Sequence, residues 1–331
     1  MSTVRAVIVS YADAAATLKA VRSLQQQTTP LTEIIVVNNF PGLTLDELPH
    51  SVRLIEPSTN LGYPGGANLG AAGAQTDWIF FLNPDAVAQP DCLEKLLEAG
   101  TDAWVGAVGA QVLLPSGLVN AGDNPLHING VSWAGHYGEL AELGASRDAA
   151  VVSGAATLVR TTAWDSIGGM NADYFLYHDD VELSLRLWIS GWRVLFQPAA
   201  VVEHDYEFEK GNEKWFYLER NRAWTILTVY SSITLLLLAP LLLATELAVF
   251  ARAVREGWWK EKLRAWAMVA RLAGNSAARR RSVQDRRRAP DSTWLPLTAA
   301  EFDTPLVRGG PGTVMQSLAL AYRWFVLRAS S

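Results

Sequence analysis

The first third of the chain alternates between continuous apolar runs and an amphipathic stretch. Val4 to Ser10, Glu33 to Asn38 and Asp77 to Leu82 are apolar runs of strand length, and Val52 to Ile55 is a shorter one. Ala14 to Gln27, between the first two runs, has its apolar residues at helical spacing. Strands that are apolar at nearly every position are typical of a parallel sheet covered on both faces. The pattern predicts an α/β fold with a mostly parallel sheet and helices on both faces.

The middle of the chain is less regular. Further strands are predicted over 102–114 and 151–160, and two short ones over 192–196 and 200–202. Residues 115–147 are rich in Gly, Asn and His without a clear period. We expect this segment to be a long loop over a cleft, where it can touch a second substrate.

An uncharged, leucine-rich segment over 223–245 is long enough to span a bilayer. Pro240 interrupts it, and residues 251–288 after it hold twelve Lys and Arg against three acids, although the whole chain has a net charge of −5. The positive-inside rule keeps such a basic collar in the cytosol, on the same side as the preceding body. A re-entrant or in-plane helical pair bent near Pro240 satisfies both observations. The alternative is a buried helix of a soluble domain, because Glu246 follows closely.

A second amphipathic segment lies within the basic collar. Trp259, Leu263, Trp266 and Ala270 recur at spacings of four, three and four, opposite basic residues. This is the pattern of an interfacial helix, and with the apolar segment before it the collar favours an anionic membrane surface over nucleic acid. The single cysteine, Cys92, excludes an intrachain disulfide and suits a reducing compartment. We therefore expect the protein at the cytoplasmic face of a membrane.

Three carboxylates lie close together in the stretch Y-H-D-D-V-E-L, at the start of a helix predicted near Val181. Asp179 or Asp180 would lie at the helix N-terminus, where free backbone N–H groups and the helix dipole stabilise an anion. An ionised carboxylate at the edge of a cleft can take a proton from a hydroxyl, which is the role of a general base. The alternative is a helix cap accompanied by solvated acids, Glu182 among them.

Polar residues also stand at the carboxyl ends of predicted strands, where parallel sheets bind their ligands. Asn38 and Asn39 end the second apolar run, and Asp85 follows the run D-W-I-F-F-L. A carboxylate oxygen at that place suits a divalent cation, and the alternative is a capped turn. His204, after the last short strand, could complete the coordination, although a lone histidine at a strand end is more often a surface residue.

The glycine-rich stretch N-L-G-Y-P-G-G-A-N-L-G begins at Asn60 and predicts a helix that starts near Pro64. Glycines allow close backbone approach and the helix start presents N–H groups, which suits a phosphate or ribose; a tight loop without a ligand is the alternative. The spacing does not fit G-x-G-x-x-G, which disfavours a nicotinamide dehydrogenase. Further along, Lys214, Arg220 and Arg222 suit a diphosphate.

These features, in this order, resemble the family 2 glycosyltransferases of the GT-A fold, close in pattern to bacterial rhamnosyltransferases and galactofuranosyltransferases. The resemblance covers Val4 to Trp224 and rests on V-I-V-S-Y, V-V-N-N, N-L-G-Y-P-G-G-A-N, L-N-P-D, and Y-H-D-D-V-E-L followed by E-H and E-R-N-R. It implies inverting transfer from a nucleoside-diphosphate sugar to a polyprenyl-linked or other glycan acceptor, with Mn²⁺ or Mg²⁺. The chain departs from the family at Asn83, where the metal motif begins with an acid, and at Asn38, where the family often has Asp.

The resemblance also implies roles by position. Asp180 is similar to the catalytic base with Asp179 beside it, and Asp85 and His204 are similar to the metal ligands. The implied donor-binding residues are Ser10, Tyr11, Asn38, Asn39, Asn60, Gly62, Gly65, Gly66, Asn68, Asn83, Arg220 and Arg222, and the implied acceptor-side residues are Ser153, Gly154 and Glu182. The expected organisation is a catalytic domain over 1–222, membrane-associating helices over 223–288, and a linker and helix over 289–331. A catalytically inactive scaffold at the membrane is the competing interpretation, and a homo-oligomer is left open.

Overall fold

The structure is a computed structural model that describes residues 2–204, 211–299, 301, 320 and 322–328. Most of the predicted C-terminal helix over 313–327 therefore lies outside the described residues, and 322–328 are helical. One mixed sheet forms the centre of the fold, in the order β3-β2-β1-β4-β9-β6-β10-β5, with β7 on β6 and β8 on β10. The strands are β1 Val4–Ser10, β2 Glu33–Asn38, β3 Val52–Ile55, β4 Trp78–Leu82, β5 Ala86–Ala88, β6 Val105–Leu113, β7 Val119–Ala121, β8 Arg147–Asp148, β9 Ala156–Arg160 and β10 Arg193–His204.

The expectation of a mostly parallel sheet holds only for its first half. Strands β1, β2, β3 and β4 pair in parallel, and β6 pairs in parallel with β10. Strand β9 lies antiparallel between β4 and β6, and β5, β7 and β8 are also antiparallel to their neighbours. The two short strands predicted over 192–202 are one strand, β10, whose register shifts between Gln197 and Val201. Because β9 is antiparallel, its beginning lies beside the end of β4.

Helices cover both faces of the sheet, as predicted. They are α1 Ala14–Gln25, α2 Gly62–Ala71, α3 Cys92–Ala99, α4 Thr161–Ile167, α5 Asp179–Ile189, α6 Glu213–Val229, α7 Ser232–Glu256, α8 Trp259–Arg271 and α9 Ala273–Asp285. Side chains of β1 alternate between two cores: Ala6 and Ile8 pack with α1 and α3, whereas Val7 and Val9 pack with α2, α4 and α5. This alternation follows from the two-residue period of a strand.

Two glycines of the glycine-rich stretch serve the packing of α2 on β1. A Cβ atom at Gly66 would lie 2.6 Å from Val9 Cγ1, and one at Gly70 would lie 2.4 Å from Val7 Cγ1. Neither distance is compatible with a side chain, so the glycines allow the helix to lie directly on the strand. At Gly65 the added atom would lie 2.8 Å from Leu61 Cβ. Gly65 and Gly66 thus serve close packing and do not line the cleft, and their contact with the donor stays a prediction.

The apolar segment is divided differently from the prediction. Helix α6 continues to Val229, so the expected boundary at 222 falls inside it. Two non-helical residues, Tyr230 and Ser231, separate α6 from α7. Asp291 Oδ2 accepts a hydrogen bond of 2.7 Å from Ser231 N at this break. Helix α7 then runs through Pro240 without ending, so the expected division into two helices at this residue is wrong.

Helix α7 is long and apolar enough to cross a membrane, with a mean hydropathy of 2.3 over its most apolar window, of which only 11% is buried. The large apolar side chains that it exposes are Ile233, Leu236, Leu243, Leu247 and Val254. Helix α8 confirms the predicted amphipathic helix: Trp259 and Leu263 are about two-fifths exposed (39% and 40%), whereas Lys262 and Ala265 are buried. Helices α7 and α8 therefore expose apolar side chains on the surface of the protein.

Candidate active site

A cleft of about 540 Å³ opens at the carboxyl ends of β1, β2 and β4. Its walls come from these strand ends, from the start of α2, from the segment before β9, and from the loop before α5. The residues that line it are Val9, Tyr11, Asn39, Asn60, Gly62, Tyr63, Asn83, Pro84, Asp85, Asn120, Asn124, Ser153, Gly154, Ala155, Phe175, Leu176, Tyr177, His178, Asp179, Asp180 and His204. Eleven residues of the predicted site are among them, drawn from seven separate parts of the sequence.

At the sheet end of the cleft, Asp85 and His204 are in direct contact. Strands β5 and β10 pair with His204 opposite Ala86, and this register places the histidine beside Asp85 at the end of β4. His204 Nε2 lies 2.9 Å from Asp85 Oδ1. The His204 side chain is buried, whereas that of Asp85 is 39% exposed toward the cleft.

The Asp85–His204 pair fits a divalent cation by its chemistry. A carboxylate oxygen and an imidazole nitrogen are both ligands of Mn²⁺, and carboxylate oxygen is also a ligand of Mg²⁺. Within the described part of the chain, no cluster of three or more His, Cys, Asp or Glu side chains could hold a metal ion. A site of two protein ligands leaves coordination positions for the oxygens of a bound diphosphate.

Asp179 and Asp180 also line the cleft, and they begin helix α5 two residues earlier than predicted. Asp180 Oδ1 accepts a hydrogen bond of 2.8 Å from Val181 N, and Asp180 Oδ2 accepts one of 3.3 Å from Gly154 N. Burial raises the pKa of both carboxyls, and these backbone N–H groups act against the rise at Asp180. Burial, followed by the charge of Asp180, raises the pKa of Asp179 to about 7. Near neutral pH, the proton of the pair is therefore favoured on Asp179 and the negative charge on Asp180.

The loop before these carboxylates has a strained backbone. Phe175, Tyr177 and His178 have φ angles of +62°, +65° and +63°, in the left-handed region that residues with a Cβ rarely adopt. Each such residue costs on the order of 1 kcal/mol. Residues of this kind persist only where surrounding contacts hold them, and here they line the cleft beside the candidate base.

The cleft also contains residues that the sequence interpretation did not assign to the site. Tyr63 donates a hydrogen bond of 3.1 Å from its hydroxyl to Gly154 O, so it supports the segment that touches Asp180. Asn120 and Asn124 come from the segment over 115–147, which reaches the cleft as expected, although Asn120 lies in strand β7 and not in a loop. The asparagines of this segment were the available signal, but a polar segment without period does not indicate which residues face inward.

Three residues predicted to bind the donor bond elsewhere. Ser10 is fully buried, and its Oγ pairs with Thr17 Oγ1 at 2.7 Å. Asn38 donates from Nδ2 to Leu43 O at 2.8 Å, so it holds the turn after β2. Asn68 bonds both backbone groups of Met170, at 2.8 and 2.9 Å. Each of these side chains bonds a neighbouring part of the fold, and none of the three lines the cleft.

Charged residues that were predicted to contact the donor or the acceptor also lie outside the cleft lining. Glu182 is buried and pairs with Arg186 at 2.7 Å, one turn along α5. Arg220 donates to the carbonyls of Asp173 and Tyr174 at 3.0 and 2.7 Å. The structure thus corrects the expected roles of Glu182 at the acceptor and of Arg220 at the diphosphate.

Arg222 lies in a buried cluster of four charges, which we call the ion cluster: Glu219, Arg222, Glu246 and Lys262. Arg222 pairs with Glu219 at 2.8 Å and with Glu246, and Lys262 pairs with Glu246 at 2.7 Å and with Glu219. The two acids and two bases balance, as buried charges require. The cluster joins α6 to α7 and α8, and Arg222 is therefore a structural residue, not a diphosphate ligand.

Comparisons with known proteins agree with the geometry. The family model described as "Glycosyltransferase like family 2" matches residues 2–226. The N-acetylglucosaminyl-diphospho-decaprenol L-rhamnosyltransferase of Mycobacterium tuberculosis is 27% identical over 260 residues, which are 70% of this chain and 76% of that protein. The O-antigen biosynthesis protein RfbC of Myxococcus xanthus is 30% identical over 199 residues, 55% of this chain but only 15% of that protein.

The fold is shared with solved structures. The crystal structure of GalNAc-T7 with UDP, GalNAc and Mn²⁺ superposes with a TM-score of 0.59 at 14% identity, over 70% of this chain and 48% of that one. At this identity the likeness shows the fold and not the substrates. The sheet and cleft have the GT-A fold, and the chain belongs to the glycosyltransferase-like family 2.

Proposed function

We propose that the protein is an inverting glycosyltransferase that moves a sugar from a nucleoside-diphosphate sugar to a hydroxyl of a polyprenyl-linked glycan in cell-envelope synthesis. One observation carries the proposal: a single cleft is lined both by a carboxylate suited to a base, Asp180, and by the Asp85–His204 pair. Inverting transfer needs both groups, because one takes the proton of the attacking hydroxyl and the other holds the leaving diphosphate through a metal ion.

The donor would lie along the carboxyl ends of β1, β2 and β4. Tyr11 and Phe40 are exposed there, with ring centroids 5.1 Å apart and an edge-to-face geometry, and such rings suit a nucleobase. Asn39 and Asn60 line the same end and are joined by a hydrogen bond of 2.9 Å. Asp85 and His204 would hold Mn²⁺ or Mg²⁺, which would offset the charge of the leaving diphosphate.

The chemistry would be carried by the carboxylate pair. Asp180 accepts the proton of the acceptor hydroxyl as that oxygen attacks the anomeric carbon. The bond from this carbon to the diphosphate oxygen breaks at the same time, so the configuration inverts and the nucleoside diphosphate leaves. Asp179 keeps its proton more readily near neutral pH, so the carboxylate pair carries one negative charge, which is on Asp180. The mechanism needs no covalent link between sugar and protein.

The acceptor side is proposed from a relative and from the surface. The name of the mycobacterial relative gives N-acetylglucosaminyl-diphospho-decaprenol as its acceptor, a lipid-linked sugar. The exposed apolar side chains of α7 and α8, next to the basic collar over 251–288, suit a membrane of anionic lipid. We therefore place the protein at the cytoplasmic face of the membrane, where a polyprenyl-linked acceptor would be presented to the cleft.

The test is a donor screen with a lipid-linked acceptor. The full chain is incubated with UDP-, GDP- and dTDP-sugars and Mn²⁺, with polyprenyl-diphospho-N-acetylglucosamine in detergent as acceptor. We expect one donor to be transferred, and NMR of the product should show an anomeric configuration opposite to that of the donor. Retention of configuration would refute the inverting mechanism. Binding of nucleoside diphosphates without turnover of any donor would favour the inactive scaffold.

A further inference from the structure

The loop over 173–178, which leads into Asp179 and Asp180, is folded around one side chain of another helix. Asn221 of α6 is fully buried, and its Nδ2 donates toward the carbonyls of Tyr174, Leu176 and Tyr177 at 3.1, 2.9 and 2.8 Å. Carbonyls so close in sequence converge on one point only where a donor satisfies them. The Asn221 amide is that donor, and it lies where the φ angles of the loop are positive.

Arg220 fixes the orientation of this amide. Its Nε donates to Asn221 Oδ1 at 2.9 Å, which leaves the Nδ2 group to face the loop. Its Nη2 donates to the carbonyls of Asp173 and Tyr174. The two neighbouring side chains of the E-R-N-R motif therefore bind carbonyls from residues 173 to 177, and we call this set of contacts the loop clamp.

The other contacts of the loop over 173–178 do not replace the loop clamp. Tyr63 N of α2 donates to Phe175 O at 2.8 Å, and the ring of Phe175 stacks on Tyr217 of α6 at 5.7 Å. These contacts hold Phe175. The carbonyls of Leu176 and Tyr177, immediately before the carboxylates, are held by Asn221.

We propose that Asn221, oriented by Arg220, is a positioning residue that holds the loop over 173–178 in its strained conformation and thereby places Asp180 against the acceptor. Its catalytic consequence rests on the proposed function. Asn221 does not line the cleft, so it acts through the loop and not on the substrate. A base displaced by about 1 Å can lose roughly 100-fold in rate, so a loosened loop lowers turnover before it lowers donor binding.

The first test does not depend on activity. Hydrogen exchange of the full chain is compared between wild type, Asn221→Ala and the control Gln27→Ala. Gln27 is a matched control because its buried carboxamide also bonds three backbone groups, those of Ser23, Gln89 and Leu93, at the other face of the sheet. We expect faster exchange over 173–178 in Asn221→Ala alone. Exchange in this loop equal to that of the wild type would overturn the proposal.

The second test measures turnover with the donor identified by the screen. We expect kcat of Asn221→Ala to fall by about 10- to 100-fold while the Kd for the free nucleoside diphosphate changes by less than about threefold. Gln27→Ala should lose Tm but keep kcat. If Asn221→Ala does not fold, Asn221→Ser keeps one donor and is judged by the same criteria. A folded variant with wild-type kcat would overturn the positioning role, whereas a wild type that transfers no sugar would overturn the proposed function and leave hydrogen exchange to decide on the loop clamp.

Discussion

Replacing Asp180 with asparagine tests the candidate base with little change of shape. Asn keeps an oxygen for the hydrogen bond from Val181 N, and it gives up at most the longer bond from Gly154 N at 3.3 Å. Loss of one such bond costs about 1 kcal/mol. The variant also removes the repulsion between Asp180 and the neighbouring carboxyl of Asp179, which offsets part of this cost. We therefore expect Tm to change by no more than about 4 °C.

The expected effect on catalysis is much larger. General-base catalysis contributes roughly 10²- to 10⁴-fold, which is about 3 to 5 kcal/mol of the activation barrier. A domain stable by about 5 to 15 kcal/mol stays folded after losing 1 kcal/mol, so unfolding cannot imitate this loss of rate. Donor affinity should be kept, because the proposed ligands of the metal and the donor diphosphate are Asp85 and His204 and not Asp180.

Three measurements on Asp180→Asn and Asp179→Asn decide the assignment: single-turnover transfer, donor Kd and Tm. Asp179→Asn imitates the protonated form that is favoured near neutral pH, so its loss of rate should be the smaller one. An Asp180→Asn protein that transfers sugar within about threefold of the wild-type rate would refute the mechanism.

Three further predictions concern stability, metal and membrane. Burial raises the pKa of Asp179 from 3.8 to about 7, so its contribution to stability is full below pH 3.8 and is lost as the pH rises through 7. Urea unfolding should show a free energy that falls by on the order of 1 kcal/mol per pH unit in this window, and Asp179→Asn should reduce this slope without abolishing it, because burial also raises the pKa of Asp180. EDTA should abolish transfer and Mn²⁺ should restore it, with a higher Mn²⁺ requirement in Asp85→Ala, whereas full turnover in EDTA would contradict a metal site. Leu236→Asp combined with Leu243→Asp should weaken co-sedimentation with anionic vesicles, and the control Leu140→Asp, on a loop and 83% exposed, should not; equal co-sedimentation of all three proteins would exclude α7 as the docking surface.

The sequence predicted those parts of the fold and site whose signals are local. The apolar runs of β1, β2 and β4 are evident in the sequence, and Asp85 follows shortly after the last apolar residue of β4. The apolar pattern predicted a helix that starts near Val181, two residues after the observed beginning of α5 at Asp179, and this prediction placed Asp180 near the helix N-terminus. The position of His204 after a predicted strand indicated that it could join Asp85, but the antiparallel register between β5 and β10 that brings the two together was not predicted.

Some of the errors arose because charged residues near a motif were expected to face the substrate. Arg222 is buried because Glu246 and Lys262, 24 and 40 residues further on, supply its ion cluster, and no spacing rule connects such positions. Pro240 was expected to divide the apolar segment, but α7 continues through it and the chain turns at Ser231 instead. Asn221 went unnoticed because an asparagine inside a helix gives no sign of which carbonyls it will meet.

The ion cluster has a consequence for how much of the chain folds as a unit. The similarity to the family ends at residue 226, within α6, yet Glu219 and Arg222 take half of their partners from α7 and α8. A chain cut at that limit would lose Glu246 and Lys262, so Arg222 and Glu219 would keep only each other as charged partners within the ion cluster. We therefore expect a chain that ends at residue 226 to be less stable than one that extends at least to Lys262, because α7 and α8 supply half of the charged partners of α6 in this cluster.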